Sequence, residues 1–202
     1  MINKQAITKE DIHPILKNRW SPRAFANTMV EENKLIRMFE AAQWSPSASN
    51  EQPWCFFLGI KGDETYQKIF DTLVEFNQLW TKTVPVLILS CGRKMSLKNT
   101  DIPNKTFMYD VGQAVAHLTF QASSDGLFVH QMSGFDTSKA AEIFSLPSDF
   151  VAVTVIAVGY IGDPEILHPN LQKMENNIRQ RRDLAETVFT GDYGHSNKLL
   201  NK

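Results

Sequence analysis

The chain has 202 residues, of which 43% are hydrophobic and 21% are charged, with a formal net charge of −1. This composition predicts one globular domain with a sizeable core, and the near-neutral charge argues against a general nucleic-acid binder. No apolar run approaches the ~20 residues that a membrane-spanning helix needs, and residues 1–5 lack the basic-then-apolar pattern of a signal peptide. We therefore expect a cytoplasmic protein whose partners include neither nucleic acid nor membrane.

A short basic segment follows the first predicted helix. Asp11 is a candidate N-cap for a helix over residues 11–19. Arg19, Ser21 and Arg23 then place a hydroxyl between two guanidinium groups in a loop. Guanidinium forks match phosphate oxygens bidentately, so this segment is a candidate binding site for a phosphate monoester. A solvated surface is the alternative for a cluster this short.

The chain then alternates helices and strands. Apolar side chains at helical spacing predict the helices, and short apolar runs between turn residues predict the strands. The longest helix is apolar on nearly all sides, which predicts a place in the core or in a subunit interface. The predicted helices cover residues 31–44, 63–76, 106–124 and 136–144, and the predicted strands cover residues 54–60, 84–91, 127–132 and 150–160.

Three polar stretches interrupt or follow this pattern. Residues 45–53 form a proline-bounded loop rich in hydroxyl and amide groups, and residues 93–105 form a polar loop that is a candidate mobile segment. Beyond residue 163 the chain is weakly patterned, so we expect this tail to fray or to pack on another subunit. The tail carries a second basic cluster at Arg179, Arg181 and their neighbours, which could close the other side of the same phosphate.

Side-chain catalysis has no recognisable signature in this sequence. It contains no dinucleotide-binding GxGxxG after a strand, no P-loop, no HExxH and no GxSxG. The five histidines are scattered, and Cys55 and Cys91 lie in no zinc-ligand spacing, so we expect free buried thiols and no metal site. If the protein is an enzyme, a bound cofactor carries its chemistry.

Short motifs are spread along the chain from about residue 12 to residue 194. They are Arg19-x-Ser21-x-Arg23-x-Phe25, Ser45-Pro46-Ser47-x-x-Asn50-x-Gln52-Pro53-Trp54, Phe76-Asn77-Gln78, Gly126-Leu127, Ser133-Gly134-Phe135-Asp136, Val158-Gly159-Tyr160, Arg179-x-Arg181-Arg182-x-Leu184 and Asp192-Tyr193-Gly194. Each motif is weak alone, but together they resemble the motifs of the nitroreductase family in order and spacing.

The resemblance implies an α+β fold of three layers, with a central, mainly antiparallel sheet flanked by helices. It implies one nitroreductase-like domain over residues 1–202, with a core at about 12–162. Residues 163–202 would form a C-terminal extension that packs on the partner of a homodimer and closes a site for FMN at the subunit interface.

The resemblance also assigns the FMN contacts. The residues expected to bind the cofactor are Arg19, Trp20, Ser21, Arg23, Pro46, Ser47, Ala48, Ser49, Asn50, Asn77, Ser133, Gly134, Arg179 and Arg181. No catalytic side chain and no metal ligand is expected among them.

Each part of FMN has its own expected contacts. The first arginine cluster would bind the phosphate side, with Arg23 near the ring edge, and the second would close on the phosphate from the tail. Residues 46–50 would come from the partner subunit. Asn77 would contact the pyrimidine edge, with a helix C-cap as its alternative role, and the backbone at Ser133 and Gly134 would lie near the flavin N5.

The implied activity is transfer of a hydride or electrons from NADPH or NADH to nitroaromatic, quinone or similar acceptors by a ping-pong mechanism. An alternative is an NAD(P)H:flavin reductase that supplies reduced flavin. An alternative of another class is a non-catalytic FMN-binding protein that serves as a sensor or store.

Overall fold

An antiparallel sheet of four strands forms the centre of the fold. The computed structural model describes residues 4–200, so the predicted domain bounds of 1–202 extend beyond the described residues at both ends. The sheet order is β1-β2-β4-β3, and every neighbouring pair is antiparallel. The strands are β1 (Trp54–Ile60), β2 (Val86–Arg93), β3 (Phe128–Met132) and β4 (Phe150–Gly159).

Helices cover both faces of the sheet, which confirms the expected three-layer α+β architecture. One face packs on α2 (Glu32–Gln43) and α5 (Phe107–Ser124). The other packs on α3 (Glu64–Thr72), α4 (Glu75–Thr81), α6 (Thr137–Ile143) and α7 (Pro169–Asn176), and a short α1 (Pro14–Asn18) precedes these layers.

The central strand β2 shows why the sheet is buried on both sides. Leu87, Leu89 and Cys91 belong to one core cluster, whereas Val86 and Ile88 belong to the other. Successive side chains of a strand point to opposite faces, so a continuous apolar run requires cover on both. All five of these side chains are fully buried.

The helix predicted over residues 63–76 is instead two helices. Asp63 caps α3, accepting from the amide of Tyr66 at 2.6 Å, but that helix ends at Thr72. Leu73 is extended and pairs with Phe135, and the amide of Val74 donates to a carbonyl of the same segment at 3.1 Å. Pairing with a segment distant in sequence therefore overrides the local helical pattern.

Two predicted capping roles are wrong. Asn77 lies within α4 rather than at a helix C-terminus, so the C-cap alternative for it is excluded. Asp11 does not cap α1, because that helix begins at Pro14 and the ring of His13 accepts from the amide of Ile15 at 3.3 Å.

The C-terminal extension begins by packing on its own chain. Leu167 and Leu171 join the core cluster beneath α3, α4 and α6, so this first part of the tail neither frays nor needs another subunit to pack on. The later part of the extension is mostly exposed, including most of its large apolar side chains, among them Ile178, Leu184, Val188, Tyr193 and Leu199.

The fold also brings the two cysteines together. Cys55 on β1 is directly opposite Cys91 on β2, and both are free thiols. A hydrogen bond between the two thiols lowers the pKa of Cys55, and that bond together with burial raises the pKa of Cys91.

Among the described residues, no helix is long and apolar enough to cross a bilayer.

Candidate functional site

The two arginine clusters meet at the N-terminal side of the fold. The Nη1 of Arg179 donates to the carbonyl oxygens of Lys4 at 2.7 Å and of Lys17 at 3.2 Å. The guanidinium group of Arg179 therefore lies beside the end of α1. Burial and the charge of Arg181 lower the pKa of Arg19. Burial, followed by the charges of Arg19 and Arg181, lowers the pKa of Arg179. Three positive charges therefore converge.

The described residues contain no anionic partner for this cluster. No carboxylate oxygen of the described chain lies within 4.0 Å of the guanidinium nitrogens of Arg19, Arg179 or Arg181. Gathering like charges in a partly desolvated place is unfavourable. An anion bound between them would offset that cost, and a phosphate would also accept several hydrogen bonds.

The loop that carries Arg19, Ser21 and Arg23 (residues 19–24, the arginine loop) is held by its backbone from two sides. Glu175 of α7, with only 2% of its surface exposed, accepts from the amides of Arg23 and Ala24. His130 of β3 approaches from the sheet, and its Nδ1 donates to the carbonyl of Pro22 at 2.7 Å. Both contacts fix the loop through its main chain, which leaves its side chains available for a ligand.

The side chain of Arg23 fits a site built for a ligand. Burial lowers the pKa of Arg23, and the nearby charge of Glu175 raises it. Its Nε is buried and has no hydrogen-bond partner among the described residues. A buried donor left unpaired is costly, so this nitrogen favours a bound acceptor in its vicinity.

Asn77 and Gly134, expected near the flavin ring, contact each other. The Nδ2 of Asn77 donates to the carbonyl of Gly134 at 2.9 Å, and its Oδ1 accepts from the indole of Trp80 at 3.3 Å. A Cβ at position 134 would lie 2.6 Å from that Nδ2, so a larger residue here would have to displace the side chain of Asn77. The neighbouring Ser133 is exposed.

The proline-bounded loop is held in a strained conformation. Ser49, Asn50 and Gln52 have φ values of 52°, 56° and 43°, in the left-handed region that most residues avoid. The amide of Ala48 donates to Asp110 at the start of α5 at 3.3 Å. Residues kept in such conformations cluster at functional sites, where the surrounding structure enforces them.

The polar segment after β2 fastens this loop. The carboxylate of Glu51 accepts from the hydroxyl of Ser96 at 2.7 Å and from the amide of Leu97 at 2.5 Å. The Nζ of Lys98 donates to the carbonyl of Ser49 at 2.7 Å. The segment predicted as a mobile loop is therefore bonded to the loop expected to contact the cofactor.

A cleft of about 340 Å³ opens beside the arginine loop. Its walls include Trp20, Phe128 and Glu175. The ring of Trp20 meets that of Phe128 edge to face, with the ring centres 6.2 Å apart, and the amino group of Lys4 lies over the same indole. Trp20 therefore lines the cleft through its packing.

The predicted site residues thus fall into three groups held by different elements. Arg19, Arg179 and Arg181 converge, Asn77 contacts Gly134, and residues 46–50 are bonded to α5 and to the segment after β2. Sequence reasoning missed Glu175 and His130 as supports of the arginine loop. No three metal-ligating side chains of the described residues form a group that could hold a metal ion.

Comparison with known proteins gives one consistent family. The sequence model of the nitroreductase family matches residues 16–79 and 60–160. The chain is 30% identical over 133 residues to the "Uncharacterized 15.4 kDa protein in ask 5'region" of Mycolicibacterium smegmatis, an alignment covering 66% of this chain and 87% of that protein. It is 26% identical to a Methanothermobacter thermautotrophicus protein named "Putative NADH dehydrogenase/NAD(P)H nitroreductase", covering 80% of this chain and 88% of that one.

A solved structure described as an oxidoreductase containing FMN superposes with a TM-score of 0.87 at 31% identity. The superposition covers 97% of this chain and 99% of that chain. With the matched motifs and the three-layer fold, these similarities establish that the chain belongs to the nitroreductase family.

Proposed function

We propose that the protein is an FMN-dependent oxidoreductase that takes electrons from NADPH or NADH and passes them to nitroaromatic, quinone or similar acceptors. The observation that carries the proposal is the convergence of Arg19, Arg179 and Arg181 without a neighbouring carboxylate. The FMN named for the similar solved structure and the nicotinamides named for the archaeal relative support the same choice.

In this proposal the converging guanidinium groups bind the FMN phosphate. Arginine forks donate to two oxygens at once, and their mutual repulsion is relieved by a dianion. Ser21 adds a hydroxyl from the same loop, and Arg23 presents its unpaired Nε nearby. The residues present therefore match the phosphate in charge and in donor number.

The ring side of the site depends on Gly134. Its carbonyl accepts from both Asn77 and the amide of Val74, which fixes the peptide plane. The amide of Gly134 has no acceptor among the described residues, so it can donate to a bound flavin. Bound FMN would supply the hydride chemistry at N5, and a fixed N–H aimed there would stabilise the charge that develops.

The proposed assembly is a homodimer, with residues 46–50 reaching the partner's cofactor and residues 163–202 closing the site. Exposed apolar side chains on α5 and its surroundings support it, because such patches mark interaction surfaces. Trp44 is 86% exposed at the end of α2. Met108 and Tyr109 of α5 are also exposed, as are the apolar side chains of the later extension.

Replacement of one phosphate-binding arginine tests the proposal. Arg19→Ala is expected to weaken FMN binding at least tenfold, because a charge-assisted phosphate contact contributes ~1.5–3 kcal/mol. The melting temperature of the FMN-free protein should stay unchanged. Arg182→Ala, at an exposed neighbour of the second cluster, is the control and should bind FMN like the wild type. Equal FMN affinity of wild type and Arg19→Ala would refute the phosphate assignment.

A further inference from the structure

A buried carboxylate of the C-terminal extension holds the arginine loop by its backbone. Oε1 of Glu175 accepts from the amide of Arg23 at 2.9 Å and from the amide of Ala24 at 3.0 Å. Oε2 accepts from the same Arg23 amide at 3.0 Å. Hydrogen bonds to an ionised acceptor are stronger than neutral ones, so these bonds fix two consecutive peptides of the loop.

The position of Glu175 links three parts of the chain. It lies on α7, whose Leu171 is anchored in the core. Its carboxylate reaches a segment that bonds to the residues just after β4, because the amide of Gly162 donates to the carbonyl of Ala24 at 2.8 Å. A displaced carboxylate would therefore move the loop relative to the sheet.

The charge of Glu175 is close to the guanidinium of Arg23 but does not neutralise it by contact. The carboxylate raises the pKa of Arg23 against the effect of burial. No ion pair within 4.0 Å joins the two side chains among the described residues. Burying a carboxylate is costly unless it is fully hydrogen-bonded, and here the backbone amides supply those bonds.

We propose that Glu175 is a positioning residue for the FMN site: by fixing the Arg23 and Ala24 amides, it couples docking of the C-terminal extension to the placement of the arginine loop. The inference deepens the proposed function and rests on it for the identity of the ligand. In this role Glu175 acts through the main chain of the arginine loop, whose side chains it places.

The sign of the effect separates positioning from plain electrostatics. A carboxylate near a phosphate site repels the phosphate, so a charge effect alone predicts tighter FMN binding when Glu175 is neutralised. Positioning predicts the opposite for Glu175→Ala, because both amides lose their acceptor. Glu175→Gln keeps Oε1, the atom that accepts from both amides, so glutamine should rescue most of the affinity.

The experiment measures FMN binding to FMN-free Glu175→Ala, Glu175→Gln and wild-type protein by quenching of flavin fluorescence. Glu165→Ala, at an exposed carboxylate of the same extension, is the matched control. We expect the dissociation constant to rise at least tenfold for Glu175→Ala, to change less than about threefold for Glu175→Gln, and to remain that of the wild type for Glu165→Ala. Unchanged or tighter binding by Glu175→Ala, or equal losses in both Glu175 variants, would overturn the inference.

Hydrogen exchange gives a readout that needs no cofactor. In the FMN-free wild type the amides of Arg23 and Ala24 should exchange at least tenfold more slowly than in Glu175→Ala, and Glu175→Gln should restore their protection. If Glu175→Ala does not fold, the wild type and Glu175→Gln still decide, because unprotected amides in both would refute the proposed contact. A wild type that binds no FMN but protects both amides would refute the proposed function instead.

Discussion

Stability at acidic pH should depend on His130. Its ring is partly buried between the sheet and the arginine loop, with its centre 4.7 Å from the ring centre of Trp80. Its pKa is lowered from the usual 6.5 to about 4, chiefly by burial and also by the charge of Arg23, although the bond to Pro22 acts in the opposite direction. The fold therefore holds the neutral ring, which donates through Nδ1.

The sign and size of the pH effect follow from that shift. Between pH 6.5 and about 4 the unfolded chain takes up a proton at this histidine and the folded protein does not, so protonation favours unfolding. The stability that depends on the neutral His130 ring is therefore fully present above pH 6.5 and is lost as the pH falls toward 4. A shift from 6.5 to about 4 corresponds to about 3 kcal/mol.

The matched variant is His130→Asn, whose amide can donate to the same carbonyl but does not titrate in this range. Urea unfolding of the FMN-free proteins is followed between pH 7.5 and about pH 4. The wild type should lose about 3 kcal/mol more than the variant over this range. If the free energy of unfolding of the two proteins changed with pH in parallel, the claim that the folded protein keeps His130 neutral would be refuted.

Three further predictions concern the supports of the site. Gly134→Ala would place a Cβ 2.6 Å from the side-chain Nδ2 of Asn77. Urea unfolding should show a loss of ~1–3 kcal/mol in the free energy of unfolding, and FMN affinity should fall. An unchanged unfolding curve would contradict the close approach. Arg179→Ala removes two bonds to N-terminal carbonyls, so hydrogen exchange over residues 4–18 should accelerate, whereas Arg182→Ala should leave it unchanged. Tyr66→Phe removes a hydroxyl that lies 2.9 Å from the carbonyls of Thr81 and Val84 and donates its one proton between them. Thermal unfolding should show a loss of ~1–3 kcal/mol, and a loss near zero would contradict this hydrogen bond.

Local sequence patterns predicted several helices and strands of this fold well. Strand β1 has the predicted bounds because its apolar run is closed by Pro53 and by a Gly62 turn with a φ of 102°. Asp136 caps α6 as predicted, accepting from the amides of Ser138 and Lys139. In these cases the deciding interactions lie within a few residues, so the sequence displays them directly.

The misses share a physical origin in contacts between distant residues. The break between α3 and α4 depends on pairing with the segment around Phe135, which no local pattern reveals. Glu175 lies in a polar, weakly patterned tail and bonds to amides 151 and 152 residues away. His130 bonds to Pro22, 108 residues away. Sequence motifs therefore indicated candidate ligand-binding residues, but not the distant residues that hold their loops in place.

Reduction of bound FMN by a nicotinamide is the decisive step of the proposed oxidoreductase activity. The purified protein is loaded with FMN, made anaerobic and mixed with NADPH or NADH while the flavin absorbance is recorded. We expect rapid bleaching by at least one nicotinamide and recovery of the colour when a quinone or nitroaromatic acceptor is added. A protein that binds FMN but is bleached by neither nicotinamide would contradict the oxidoreductase function and indicate a non-catalytic FMN-binding protein.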